Sequence, residues 1–307
     1  MAAASSGFGF GSGGRHALTS KVSGVRSPRL IYGTAWKKEN TKSLVKLALS
    51  NGFRGIDTAC QPKHYNEAGV GEALEEAFRE KLVVRSDVFL QTKFTPLFGQ
   101  DESQPLPYDK NAPLAEQVAQ SVKTSLANLR VESIDSLVLH APLRTFEESC
   151  EVWQAMQEWT RKTNDAGVPI VRQIGISNVY SFDALKQLWE FADVKPAVVQ
   201  NRFIKRFGFD AEIRQFCQQK GIKYQGFSLL TANPRIVSSG AVAAAAERRS
   251  ITPEAAFFLF AFSLGDFFTP LTGSTSAHHQ LHDLRALDAA PLSQKEIEAI
   301  EAEMARV

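Results

Sequence analysis

Cysteine is scarce in this 307-residue sequence, and Cys60, Cys150 and Cys217 are an odd number without CxxC spacing. That argues against a disulfide framework and fits free thiols in a reducing compartment. Charge of one sign is also lacking. The net charge is +2, and the basic Arg15, Lys21, Arg26 and Arg29 stand in an acid-free stretch of 29 residues, leaving 31 basic and 33 acidic groups elsewhere. A body so near neutrality has no electrostatic footprint for nucleic acid. Long apolar runs are missing too. The longest, Ala255 to Phe262 with Ser263 and Leu264 behind it, is too short to span a bilayer and reads as a core helix. Finally, the first strand is followed by Gly33-Thr34-Ala35-Trp36, with no GxGxxG. A doubly wound dinucleotide-binding sheet would want such a turn.

What remains is an ordinary globular composition, 44% hydrophobic and 22% charged, long enough for one large domain. Residues 1–28 are rich in Gly, Ser and Ala and cannot bury enough surface to fold alone. We expect a disordered N-terminal segment there, and a single folded domain over residues 29–307. A Ser-rich, acid-free, sparsely basic composition also fits an organelle transit peptide. The expected location is therefore the cytoplasm, or an organelle if that segment is a targeting peptide.

From residue 30 onward, short apolar strands alternate with amphipathic helices. Leu30 to Ala35 opens as a strand, and residues 41–51 follow as a helix stopped at Gly52, with Leu44, Leu47 and Ala48 on one face. The helix over 114–129 keeps a 3.6-residue period through Leu114, Val118, Val122, Leu126 and Leu129. Thr252-Pro253 opens another helix, and Ser293 with Glu296 makes a capping box for the last. Eight strand ends fall near 34, 59, 94, 140, 176, 200, 227 and 273. That pattern predicts an α/β fold, a single-domain (β/α)8 TIM barrel. Between 95 and 113 lies a long loop with four prolines, of the kind that is usually functional or disordered.

In such a barrel the active site lies at the C-terminal ends of the strands. The distinctive polar residues fall at those ends: Asp57, Lys93, His140, Ser177, Asn178, Gln200, Asn201, Ser228 and Ser274. Strand ends also become polar simply by meeting water. Three apolar strands that each stop on an ionisable group, however, require pairing in a crowded barrel mouth. Eight residues beyond Asp57 comes a phenol, Tyr65, just before Asn66-Glu67.

Asp57, Tyr65, Lys93 and His140 together resemble the Asp/Tyr/Lys/His tetrad of the aldo-keto reductases, nicotinamide-dependent carbonyl reductases on a TIM barrel. The resemblance runs over about residues 30 to 305. Chemically, a buried Lys93–Asp57 ion pair beside Tyr65 is expected to lower the phenol's pKa and make it a usable general acid. His140 would hold the carbonyl oxygen or share in proton transfer, and a nicotinamide would supply the hydride that side chains cannot. Ile174-Gly175-Ile176-Ser177-Asn178 matches the family's fifth-strand motif. The resemblance implies that Ser177, Asn178 and Gln200 meet the nicotinamide carboxamide. It also implies that Phe227 stacks on that ring where a tyrosine is usual, and that Ser228 and Leu230 line the pyrophosphate path.

Two departures stand out. The family usually has its tyrosine five residues after the aspartate, where this chain has Pro62; a two-residue insertion would place Tyr65 in that role, in a Gln-Pro-Lys-His-Tyr form of the segment. After the eighth strand many members have Ile-Pro-Lys-Ser and then an arginine, which grip the adenosine 2′-phosphate. Here Leu271-Thr272-Gly273-Ser274 replaces the first, and His279 aligns with the arginine and Asp283 with an adenine-binding asparagine. NADPH is the implied cofactor, and with two cations gone NADH stays open. The family's long C-terminal tail is missing, so the pocket is expected to be open, walled by the 95–113 loop, Trp36 and Phe98. The expected reaction is NAD(P)H-dependent reduction of a small aldehyde or ketone, with no nucleic-acid or membrane partner and an oligomeric state left open. The alternative is a non-catalytic barrel that binds nicotinamide nucleotide as a sensor or regulatory subunit. His278, His279 and His282 look like metal ligands by composition, but no accompanying carboxylate or thiolate set completes a familiar site, and no metal is expected. Cys60 lies near the site with nothing to make it a nucleophile.

Overall fold

The structure, a computed structural model, describes residues 16–306. It begins with a hairpin, β1 (Ala17–Thr19) paired antiparallel with β2 (Arg26–Pro28). The chain then alternates strand and helix. β3 (Ile31–Gly33), α1 (Thr41–Asn51), β4 (Gly55–Asp57), α2 (Glu67–Arg79), β5 (Phe89–Phe94), α3 (Leu114–Leu129), β6 (Ser136–Leu139) and α4 (Phe146–Arg161) form the first half. β7 (Ile174–Ser177), α5 (Phe182–Phe191), β8 (Val198–Arg202), α6 (Ala211–Lys220), β9 (Lys223–Phe227), α7 (Pro234–Val237), α8 (Gly240–Glu247), α9 (Pro253–Ser263) and β10 (Phe268–Thr272) follow. Two helices close the chain, α10 (Ala277–Arg285) and α11 (Gln294–Arg306).

β3 to β10 close into a barrel in which every neighbouring pair is parallel, β10 returning to β3 through Leu271–Ile31 and Thr272–Tyr32. Parallel strands need crossovers, and helices supply them on the outer face, so the strands are buried on both sides. This is a single (β/α)8 domain, as the alternation of strand and helix predicts. The main apolar core lies between strands and helices, where Val45, Leu74, Val122, Trp153, Phe257 and Phe260 are all fully enclosed. In α1 the inward face is Thr41, Val45, Ala48 and Leu49, one residue round from the face expected around Leu44 and Leu47. The capping box at the last helix forms: Ser293 N–H donates to Glu296 Oε2 at 2.7 Å, and Glu296 N–H to Ser293 Oγ at 3.4 Å. No helix among the described residues is long and apolar enough to cross a membrane.

The expected order boundary at residue 28 needs correction. Residues 1–15 lie outside the described part, but residues 17–19 and 26–28 form the hairpin that lies across the N-terminal side of the barrel. Its few apolar side chains, Ala17, Leu18 and Val25, are buried, and Val25 packs with Ile31, Phe89 and Leu271. Gly24 turns the hairpin at φ +73°, and Ser23 Oγ donates to Gln173 Oε1 at 2.5 Å. Composition predicted that this segment could not fold alone. The barrel floor supplies the apolar surface it lacks.

Candidate active site

Most of the strand ends named from sequence open on one cleft of about 810 Å³; Asn201 does not, being buried with its amide donating to the Val179 carbonyl and Asp210 Oδ2, each at 2.7 Å. Its lining includes Asp57, Tyr65, His140, Ser177, Asn178, Gln200, Phe227, Ser228, Leu230, Ser274, His279 and Asp283. A cavity of that size lies within the range of small-molecule and cofactor sites. Lys93 sits just beneath the lining.

Lys93 and Asp57 are the anchor. Both are almost fully enclosed, and Lys93 Nζ donates to Asp57 Oδ2 at 2.6 Å and to the Thr58 carbonyl at 2.8 Å. β5 pairs with β4 in the register Asp57–Gln91, so Lys93 lies two residues further along on the same inward face. Burial pulls the Lys93 ammonium down, but the charges and hydrogen bonds of Asp57 and Tyr65 together carry it above its ordinary value. It therefore stays charged at any working pH.

Tyr65 reaches this pair from the loop after β4. The extra residues there are taken up in a turn: the His64 and Tyr65 amides both donate to the Gln61 carbonyl. Asn66 then caps α2, accepting from the Gly69 amide at 2.9 Å. Glu67, in the first turn, is buried and accepts from Thr92, Ser125 and Asn128. α2 in turn lies so close to α3 that a Cβ on Gly71 would come 2.0 Å from the Asn128 carbonyl oxygen. The helix, and Tyr65 with it, is thus tied down on two sides. Lys93 Nζ lies 5.1 Å from the Tyr65 ring centroid, and the His140 ring lies 5.9 Å away, edge-on.

The phenol's pKa departs from the expected direction. Burial pushes it up, the Lys93 charge pulls it down by less, and Asp57 adds to the rise, so it ends above its ordinary value. An ion pair presents a nearly cancelled charge to its neighbour, and desolvation then wins. Tyr65 is a firmly protonated phenol here. His140 is its counterpart: burial, then the charges of Lys93 and His64, hold its pKa well below the usual imidazole range. It is neutral, with Nδ1 2.7 Å from Thr95 Oγ1. Thr95 opens the long loop, which is pinned to the site where Tyr108 OH and Gln100 Nε2 donate to the Thr95 carbonyl and Gln61 Nε2 donates to the Gly99 carbonyl. Above it Trp36, its ring tilted against His64 with centroids 3.9 Å apart, and Phe98 stand exposed at the cleft mouth.

The other side of the cleft is polar and more open. Ser177 Oγ donates to the Gln200 carbonyl at 2.7 Å, and Asn178 Nδ2 to the His140 carbonyl at 2.8 Å. Asn178 and Ser228 both take the left-handed conformation, φ +53° and +57°, turning the chain at the ends of β7 and β9. The Gln200 amide faces inward, donating to Asp57 Oδ1 and Gln225 Oε1, each at 2.9 Å. Phe227 has the Arg202 guanidinium 5.6 Å from its centroid. Asp283 accepts from Thr272 Oγ1 at 2.8 Å, and burial raises its pKa to about 7. His279 and its neighbours His278 and His282 edge the same cleft, the rings of His278 and His282 4.2 Å apart. Among the described residues no group of three or more His, Cys, Asp or Glu is placed to hold a metal ion. Burial, and then the nearby Glu67, push the Cys60 thiol well up, leaving it unreactive.

Sequence reasoning overlooked three residues here. Lys37, buried after β3, donates its ammonium to the Gly273 carbonyl, and no carboxylate pairs with it among the described residues. Gln91 and Gln225 lie inside the barrel under Asp57, and Gln91 Nε2 donates to Asp57 Oδ1 at 2.7 Å. The signal for both was the strand period: Gln91 precedes Lys93, and Gln225 precedes Phe227, by two residues.

A parallel barrel with an ionisable cluster in its C-terminal mouth defines a class of barrel proteins that supports many chemistries. Within it, the model of the aldo/keto reductase family matches residues 29–233, and the chain belongs to that family. It is similar to a D-galacturonate reductase of Fragaria ananassa, 30% identical over 210 residues, covering 63% of this chain and 58% of that protein. An NADP-dependent D-sorbitol-6-phosphate dehydrogenase of Malus domestica is 27% identical over 218 residues, covering 65% of this chain and 64% of the other. The chain thus spans less than two thirds of these relatives' lengths. Among solved structures, an aldo-keto reductase of Bombyx mori in complex with NADP superposes with a TM-score of 0.76 at 22% identity, covering 94% of this chain and 92% of that one. An aldo/keto reductase of Brucella melitensis gives 0.75 at 24%, covering 94% and 98%. These two likenesses concern the fold.

Proposed function

We propose that this protein is an NADP(H)-dependent reductase of small aldehydes or ketones. The observation that carries the reading is the meeting of a protonated phenol, a neutral imidazole and a buried Lys–Asp pair in one cleft. The family relatives named as reductases and as an NADP-dependent dehydrogenase support it.

The cleft suits a nicotinamide nucleotide. Ser177, Asn178 and Gln200 stand beside the acid corner as hydrogen-bonding partners for a carboxamide, and Phe227 offers a ring to stack on. Ser228 and Leu230 lead away from it toward Ser274 and His279 at the start of α10, where the first-turn amides favour an anion, and toward Asp283 in the last turn of that helix. Gly273 stands where the resemblance expects a phosphate-binding lysine, and the Lys37 ammonium lies on its carbonyl. That returns one cation to the trough and favours the phosphorylated nucleotide.

When bound, the reduced nicotinamide supplies a hydride to the carbonyl carbon. Tyr65 gives its phenolic proton to the carbonyl oxygen, completing an alcohol, and recovers a proton from solvent. Lys93 stabilises the phenolate left behind, and Asp57 keeps that lysine in place. His140 orients the carbonyl through Nε2, with Nδ1 accepting from Thr95. Trp36 and Phe98 give the substrate an apolar wall.

The test is nucleotide binding by tryptophan fluorescence beside nucleotide consumption over a panel of aldehydes and ketones, with NADPH and NADH. Saturable binding with turnover of at least some carbonyls is expected. Saturable binding with none would favour a nucleotide-sensing barrel, and no binding at all would overturn the reading.

A further inference from the structure

Five side chains in the barrel interior form one closed hydrogen-bonded layer. Gln91 and Gln225 pair reciprocally: Gln91 Nε2 donates to Gln225 Oε1 at 2.7 Å, and Gln225 Nε2 to Gln91 Oε1 at 3.2 Å. Gln91 Nε2 also donates to Asp57 Oδ1 at 2.7 Å, and Gln200 Nε2 reaches the same oxygen at 2.9 Å. Lys93 takes the other carboxylate oxygen, Oδ2. Gln91 and Gln225 are 0% and 1% exposed, so bulk solvent does not reach these two amides.

A glutamine pair at the centre of a barrel is costly unless every polar atom is used. An apolar pair of the same volume would fill the space at least as well, and packing alone therefore does not explain it. What the amides do that apolar groups cannot is share the negative charge of Asp57. Hydrogen bonds to a charged carboxylate stabilise that charge. The more of it the amides carry on Oδ1, the less is spent in neutralising Lys93 through Oδ2, and the more of the ammonium's field is left for the phenol 5.1 Å away at its ring centroid.

We propose that Gln91 and Gln225 are positioning residues that set the acidity of Tyr65 by holding and partly discharging Asp57. The proposal rests on the reading of Tyr65 as the proton donor. Gln91 acts directly on the carboxylate. Gln225 acts one step away, by fixing the amides of Gln91 and Gln200 so that their N–H groups point at Oδ1. Neither lines the cleft, and neither touches the substrate or the nicotinamide.

The experiment uses the full chain and an aldehyde that the wild type reduces. Gln91→Met and Gln225→Met keep side-chain length and remove the donors. Each is compared with wild type for nucleotide dissociation constant and for kcat against pH. With Asp57 less stabilised it neutralises Lys93 more fully, and the phenol becomes a weaker acid. The alkaline limb of kcat should then move up by about one pH unit in Gln91→Met, with kcat near neutrality falling about tenfold. Gln225→Met should show a smaller shift of the same sign, and nucleotide affinity should stay within about twofold in both. The decisive arm adds Gln91→Met to Tyr65→Phe, where no phenol remains to be tuned. There the substitution should change the residual rate less than about twofold, a non-additivity that a packing role would not give.

An equal fold-loss in both backgrounds, or an unmoved alkaline limb in both glutamine variants, overturns the proposal. If Gln91→Met does not fold, Gln225→Met alone decides by the same limb. Should Tyr65→Phe keep the wild-type rate, the acid itself is misassigned and the proposal falls with it. An inactive Tyr65→Phe beside an unmoved limb sinks the glutamine role alone.

Discussion

The two sides of the cleft are built on opposite plans. At the ends of β4, β5 and β6, Asp57, Lys93 and His140 are locked: Asp57 accepts from Lys93 and two glutamine amides, Lys93 also donates to the Thr58 carbonyl, and His140 is tied to Thr95. Beyond the buried Ser177 and Gln200 at the ends of β7 and β8, the side chains on the other side are more open. Phe227, Ser228 and Ser274 are half-buried, Arg202, His278 and His279 are exposed, and Lys37 is held by a backbone carbonyl with its ammonium 5.8 Å from the Tyr32 ring centroid. The first side is organised to fix charge before anything arrives. The second offers surface to a ligand that brings its own shape and charge. Proton transfer is sensitive to distance and to desolvation, whereas a long nucleotide distributes its recognition over many weak contacts. Substitutions in the corner should therefore act abruptly, and substitutions in the trough by degrees.

The largest effect is expected from Lys93→Met. It leaves Asp57 buried without its cation, a change that costs about 3–5 kcal/mol. It also removes the charge that stabilises a Tyr65 phenolate. Carbonyl reduction should fall by about 10²–10⁴-fold, and thermal unfolding should show a lowered midpoint. Near-wild-type reduction by this variant would mean that the corner is not the reacting one.

Lys37→Met probes the trough. It should weaken NADPH about tenfold in KM, the order of one lost charge-assisted contact, and alter NADH much less. Equal weakening of both nucleotides would place Lys37 away from the extra phosphate. The smallest effect is expected from Asp283→Asn. The folded pKa of about 7 lies above the usual carboxylate value. Its stabilising contribution is present at low pH and is lost as pH rises through about 7. The asparagine, which can still accept from Thr272, should raise the unfolding midpoint at pH 8 by on the order of 2 °C, with the difference vanishing near pH 4. A difference that grows on acidification would contradict the sign.

The same contrast governs how much the sequence disclosed. The eight strand ends were legible because short apolar runs stop abruptly at polar residues, and Asp57, Lys93 and His140 could be singled out on chemistry alone. Tyr65 was legible only through its resemblance to a known tetrad, since nothing local shows that a turn at Gln61 would swing it inward. The direction of its pKa was misjudged because charge can be read from a sequence and desolvation cannot. α10 went unforeseen because Ala-His-His-Gln-Leu-His-Asp-Leu-Arg carries too few apolar residues for a clear stripe, although it is buried through Gln280 and Asp283. The hairpin at residues 17–28 was hidden for a related reason: its stability resides in the barrel floor and not in its own composition.

The account stands or falls on the phenol. The direct measurement is the rate of NADPH oxidation with 4-nitrobenzaldehyde by wild type and by Tyr65→Phe, with nucleotide affinity determined on the same preparations by fluorescence. Tyr65→Phe is predicted to bind NADPH within about twofold of wild type and to lose about 10²–10⁴-fold in kcat. A mutant that binds and turns over like the wild type would contradict the central claim and assign the proton to another group in the cleft.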